Sequence, residues 1–206
     1  IEPNNLGVLL RISKQYSDLI ADTKPDAVAQ SLAQKALDYA LRAIEIDPHS
    51  AKAHLSVAVS YGKLTDFVPN KTKVEYSRLV RDETLRSIEL DPTDDFAWHV
   101  LGRWHQGVAN VSGMLKALAK VVYGGLPPAS NEDAVRCMKK AIELAPQRLI
   151  HHSELARIYK AMHKPELAAK EWEAILELAV RDKGDEKDLA EARQELRQTS
   201  STGRVR

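Results

Sequence analysis

Cysteine is nearly missing from this sequence. Cys137 is the only one, so no internal disulfide can form and a disulfide-stapled framework is excluded. Aromatic residues are scarce at 5%, with two phenylalanines in the chain. No apolar run approaches the ~20 residues a membrane-spanning helix needs; the longest, Met114 to Tyr123, is interrupted by Lys116 and Lys120. Charge of one sign is lacking too. Thirty basic residues face 29 acidic ones for a net charge of +1, which argues against nucleic acid as a partner, because a phosphate backbone selects a basic excess. What remains is ordinary for a folded chain of 206 residues: 44% apolar and 29% charged. The first residue is Ile1 rather than methionine, which leaves room for an anchor or targeting segment outside the sequence.

Catalytic patterns are also absent. There is no His-Glu-x-x-His, no glycine-rich phosphate loop and no Gly-x-Ser-x-Gly elbow. His151 and His152 are adjacent, and His99 and His105 are six apart, so neither pair shares a helix face. Cys137 beside Met138 reads as a buried, inert thiol. Gly124-Gly125 before Leu126-Pro127-Pro128 reads as a turn. No enzyme, metal or cofactor is expected.

What the chain does contain is repetition. Ala43-Ile44-Glu45-Ile46-Asp47-Pro48, Ser87-Ile88-Glu89-Leu90-Asp91-Pro92 and Ala141-Ile142-Glu143-Leu144-Ala145-Pro146 read alike. A second pattern follows each proline: His54, Val57-Ala58 and Tyr61; Trp98, Leu101-Gly102 and His105; His152, Leu155-Ala156 and Tyr159. Leu9, Ile12-Ser13 and Tyr16 fit the same frame. This resembles the tetratricopeptide repeat, in which small residues let helices A and B approach closely and proline ends helix B. Ser50 and Thr93 or Asp94 are expected N-caps. Ala168 and Trp172 fall at helix-B positions of the last pair, after Lys164-Pro165. The resemblance implies an all-α, right-handed helical solenoid.

The spacing departs from a standard repeat of ~34 residues. Tyr16 to Tyr61 is 45, Tyr61 to His105 is 44 and His105 to Tyr159 is 54. Both signatures keep their frames, so the extra residues must lie between A and B as long helices and structured insertions. The expected organisation is a single domain over 1–200, with pairs at about 5–47, 50–91, 94–145 and 148–182, a capping helix at 186–198 and a frayed tail at 201–206.

One stretch narrows the resemblance. Leu101-Gly102-Arg103-Trp104, then Val111-Ser112, then Ala119 through Tyr123-Gly124-Gly125-Leu126-Pro127-Pro128, then Ala134 to Pro146, is similar to the regulator of microtubule dynamics family. Tyr16-Ser17-Asp18 and Asp185-Glu186-Lys187 match as well. The resemblance implies association with microtubules, a cytosol-facing location at a mitochondrial or endoplasmic-reticulum membrane, and binding or transfer of phospholipid.

The ninth residue of each A helix faces the groove of such a repeat; here these are Lys14, Val59, Arg103 and Arg157. Lys160 shares a face with Arg157, and Phe96, His99 and Ile150 hold other inward positions. A row of cations suits a phosphate headgroup or an acidic peptide, each charge-assisted bond contributing ~1.5–3 kcal/mol, or else serves as solvated surface charge. The clamp that holds chaperone C-terminal tails is not reproduced: its places hold Leu10, Lys14, Ser56, Phe96 and Val100. The insertion carries Met114, Leu115, Leu118, Val121 and Val122, which read either as plain core or as an apolar lining for acyl chains. Two functions stay open: a lipid-binding module at membrane contacts, and a scaffold for a peptide or cytoskeletal partner.

Overall fold

The computed structural model describes residues 4–202, in which ten α-helices and two short 3-10 turns account for the regular structure. The helices are α1 (Leu6–Leu19), α2 (Asp26–Ile46), α3 (Ala51–Leu64), α4 (Asn70–Leu90), α5 (Asp95–Ala109), α6 (Gly113–Tyr123), α7 (Asn131–Leu144), α8 (Leu149–Ala161), α9 (Pro165–Leu176) and α10 (Lys183–Thr202). No strand occurs among the described residues.

The caps explain where the helices begin. Asn5, Ser50, Ser112 and Ser130 each accept a hydrogen bond from a first-turn backbone N–H of α1, α3, α6 and α7. Asp94 Oδ1 accepts from the N–H groups of Phe96 and Ala97 at the start of α5. Proline opens α9 at its first position, where a missing N–H costs nothing. Helices α2, α4 and α7 each stop two residues before a proline, Pro48, Pro92 and Pro146. Helix α6 stops at Gly124, whose φ of 72° only glycine adopts freely; there the N–H of Gly125 bonds back to Ala119 O.

The chain divides into two compact units, one comprising residues up to Thr93 with Asn110–Pro128, the other Asp94–Ala109 with everything from Ala129 onward. In the first, α1 packs on α2 and α3 on α4, with α6 against α4. The extra residues between A and B go into the B helices: α2 and α4 are 21 residues long, each preceded by a 3-10 turn. Ala33, Leu37, Ala40, Val57 and Leu64 form one apolar cluster, and Leu9, Ala43 and Ala53 another. Ser13 supplies a buried polar stitch, donating to Ala36 O at 2.8 Å and pairing with Ser56 Oγ at 2.9 Å.

In the second unit α5 pairs with α7, α8 with α9, and α10 lies on both α8 and α9. Its core includes a cluster that holds Met138, Leu149, Leu155, Ile158, Trp172 and Ile175. The small residues of the A helices do the work their positions suggest. A Cβ on Gly102 would meet Met138 Cε at 3.0 Å, Ala134 O at 3.2 Å and Cys137 Cβ at 3.3 Å, so α5 and α7 touch almost backbone to backbone. Ser13, Ala58 and Ala156, at the matching places, are likewise buried.

Candidate functional site

Each predicted groove cation has a carboxylate beside it. Lys14, in the first unit, pairs with Asp18 one turn along α1 and is 71% exposed. The others belong to the second unit. Arg103 on α5 faces Glu154 on α8 at 3.4 Å. Arg157 on α8 is the most heavily bonded: Nη1 donates to Glu154 at 2.8 Å, Nη2 to Asp188 at 2.7 Å and to Glu191 at 2.6 Å, and Nε to Glu191 at 3.2 Å. Lys160 Nζ donates to both oxygens of Glu195 at 2.7 and 2.8 Å. Burial works against the Arg157 charge, yet the bonds to Glu191, Glu154 and Asp188 hold it protonated more firmly than an ordinary arginine. Burial raises the Asp188 carboxyl above its usual range despite the Arg157 bond.

Phe96 and His99 lead to a different feature. His99 stacks on Phe96, with ring centroids 5.1 Å apart, and its Nδ1 lies 3.1 Å from Nδ1 of His151. His151 Nε2 lies 2.7 Å from Asp95 Oδ2, which also accepts from Arg148. His99 and His151 are buried, at 1% and 0% exposure. One proton sits between the two Nδ1 atoms, since two N–H groups cannot face each other at that distance. Burial first, then His151 and the nearby arginines, pushes His99 well below the usual histidine range. Burial lowers His151 too, against the pull of Asp95. The pair is therefore a neutral stitch between α5 and α8. Weighing histidines for shared faces within one helix misses this contact between two helices, and no local pattern announces it.

His54 and His152 are clamps rather than plain packing residues. Each ring bridges a helix-B glutamate and the carbonyl of the proline before its helix: His54 to Glu83 (2.6 Å) and Pro48 O (3.0 Å), His152 to Glu171 (2.7 Å) and Pro146 O (3.2 Å). Cys137 is buried, which pushes its thiol up to about 11 and removes it as a nucleophile at neutral pH.

Helix α6 belongs to the first unit. Ala119 is buried and Leu115 half-buried, whereas Met114 and Val121 are 81% and 85% exposed. The side chains of Leu118 and Val122 lie outside the described residues. Met114, Ala117 and Val121 recur at i, i+3 and i+7, so the exposed apolar residues form one stripe. Lys116 and Lys120 are exposed, and α6 contains no acidic residue. Arg78 of α4 donates to Gly125 O at 2.7 Å and fastens the turn that ends the helix. Among the described residues, no helix is long and apolar enough to cross a membrane, and no group of three or more His, Cys, Asp or Glu side chains could hold a metal ion.

Helix pairs stacked on small residues, with an A–B insertion and a terminal capping helix, define the tetratricopeptide-like class of helical-repeat binding modules. Solved structures of that class share the fold. TTC0263, a TPR protein of Thermus thermophilus, superposes with a TM-score of 0.57 at 15% identity, covering 91% of this chain and 98% of its own. MamA superposes with a TM-score of 0.52 at 17% identity over 92% of this chain and 83% of its own. The family model for regulator of microtubule dynamics proteins 1-3 matches residues 1–200, and the chain belongs to that family. Regulator of microtubule dynamics protein 1 of Bos taurus is 27% identical over 162 residues, 78% of this chain and 50% of the relative. Regulator of microtubule dynamics protein 3 of Rattus norvegicus is 27% identical over 191 residues, 89% of this chain and 40% of the relative. The chain thus spans half or less of the length of these relatives.

Proposed function

We propose that this chain is a non-catalytic binding module that docks on an anionic phospholipid surface through α6. The observation that carries the reading is the pair Met114 and Val121, 81% and 85% exposed on a helix that has two lysines and no acid. An apolar stripe flanked by lysines suits the boundary between headgroups and acyl chains. Burying a methionine and a valine contributes about 1.5–3 kcal/mol each, and each lysine near an anionic leaflet about 1 kcal/mol. The sum is comparable with one short acyl chain, which gives weak and reversible attachment. Transfer or tethering of lipid at membrane contacts is compatible with such an attachment.

The groove cations suit a headgroup less well. Arg103, Arg157 and Lys160 face Glu154, Asp188, Glu191 and Glu195, so a phosphate approaching this face meets more carboxylates than cations. Flotation with phosphatidylserine–phosphatidylcholine vesicles tests the proposal. Wild type should float with anionic vesicles and not with pure phosphatidylcholine, and Met114→Glu with Val121→Glu should stay at the bottom while melting like wild type. If the double variant floats equally well, α6 is not the docking surface. If wild type does not float at all, the second reading takes over, in which the same apolar stripe contacts a protein partner, microtubules among the candidates.

A further inference from the structure

A different surface, in the second unit, carries an inference that does not depend on α6. Helix α10 is built like a helical ligand. Leu189, Ala192 and Leu196 recur at i, i+3 and i+7, and Asp188, Glu191 and Glu195 recur at the same spacing one residue earlier. The first set packs on the apolar cluster that contains Trp172 and Ile175. The second set meets two cations of α8: Asp188 and Glu191 take Arg157, and Glu195 takes Lys160. Of the apolar residues of α10, Ala192 alone is fully buried, with Leu189 and Leu196 half-buried, so a small apolar seam and an acidic stripe hold the helix together. The link that leads into it, 177–182, is exposed except at Leu178, which is half-buried against the same cluster.

We infer that the Arg157–Lys160 face of α8, with its apolar floor, is a receptor site for acidic amphipathic helices, and that α10 is its resident occupant. With α10 in place the site presents four carboxylates to three cations. When α10 leaves, Asp188, Glu191 and Glu195 leave with it, and Glu154 is the carboxylate that stays beside Arg103 and Arg157. The face then changes sign and gains an open apolar floor, which suits a partner helix with carboxylates at i, i+3 and i+7 beside an apolar stripe. Tethering gives α10 a high effective concentration, so an external helix competes poorly until something pulls α10 away. The contact is salt-sensitive, because charges on a partly exposed face are screened.

The probe is a fluorescent synthetic peptide of residues 183–202, titrated against the full chain. Wild type should bind it weakly. The full-chain variant Asp188→Lys/Glu191→Lys/Glu195→Lys, whose own α10 is repelled from Arg157 and Lys160, should bind it at least tenfold more tightly. A peptide with Gln at the three acidic positions should lose that gain. Equal binding of acidic peptide to variant and wild type, or equal binding of acidic and Gln peptides to the variant, overturns the assignment. If the variant does not fold, hydrogen exchange on wild type decides. Amides of α10 exchanging faster in high salt while α8 and α9 stay protected supports a detachable helix; protection of all three unchanged by salt overturns it.

Discussion

Gly102→Ala and Gly107→Ala are the same chemical change in the same helix, five residues apart, and they should have opposite effects. Alanine in a helix interior is favoured over glycine by roughly 0.5–1 kcal/mol, because glycine loses more backbone freedom on folding. At Gly107 nothing lies within 4 Å of the added Cβ, so the substitution should stabilise by about that amount. At Gly102 the new carbon lands 3.0 Å from Met138 Cε, 3.2 Å from Ala134 O and 3.3 Å from Cys137 Cβ. The Met138 methyl ends a flexible side chain, though a fully buried one, whereas the Ala134 carbonyl and Cys137 Cβ are fixed to α7 and cannot yield without moving the helix. Overpacking of this kind costs about 1–3 kcal/mol. Set against the propensity gain, Gly102→Ala should destabilise by roughly 1 kcal/mol. Urea unfolding of both variants beside wild type measures the contrast, and the slopes should match, since neither change alters the exposed surface greatly. If both variants gain stability equally, α5 and α7 do not meet at Gly102 and the small-residue argument for the helix pairs is wrong.

Other consequences follow from single sites. Trp172→Ala removes a side chain that is 2% exposed at the centre of the second unit and should cost about 3–5 kcal/mol in chemical denaturation. Arg157→Gln leaves Glu154, Asp188 and Glu191 without their shared cation; a buried pair broken this way costs about 3–5 kcal/mol, and 32% exposure of the arginine brings the expectation to about 2 kcal/mol. That loss should shrink as the pH falls and Asp188, raised by burial, takes up a proton. His99 and His151 bind protons less readily folded than unfolded, so their contribution to stability is complete above the unfolded value of about 6.5 and falls as the pH drops below it. His99→Gln should flatten the dependence of unfolding free energy on pH between about 5 and 7.5, and an unchanged dependence would count against the neutral pair.

Much of the architecture is legible along the chain because its determinants are local. Proline stops after Ile46, Leu90 and Leu144 and caps at Ser50 and Asp94 lie within a helical turn of what they control, and the small residues at 13, 58, 102 and 156 are marked by their place in the repeat frame although they touch helices farther along the chain. The lengthened B helices follow from a spacing count. The charge arrangement is not local. Arg157 meets Asp188 and Glu191 across 31 and 34 residues, and Lys160 meets Glu195 across 35, so the pairing depends on how α10 registers against α8. An acidic stripe at 188, 191 and 195 beside an apolar one was the available signal. The His99–His151 contact spans 52 residues and has no sequence pattern, because it depends on two A helices lying side by side. The apolar spacing of α6 marks an amphipathic helix, but which side is covered depends on its packing against α4.

Entry of α6 into a lipid surface is the central functional claim, and one label can report it directly. Cys137 is buried and its thiol raised to about 11, so an environment-sensitive dye should react selectively with Val121→Cys, at a site 85% exposed in wild type. On adding phosphatidylserine–phosphatidylcholine vesicles the emission should shift to the blue, reversing in high salt, with no shift on pure phosphatidylcholine. A dye at this position whose spectrum ignores anionic vesicles at every lipid ratio would contradict the proposal.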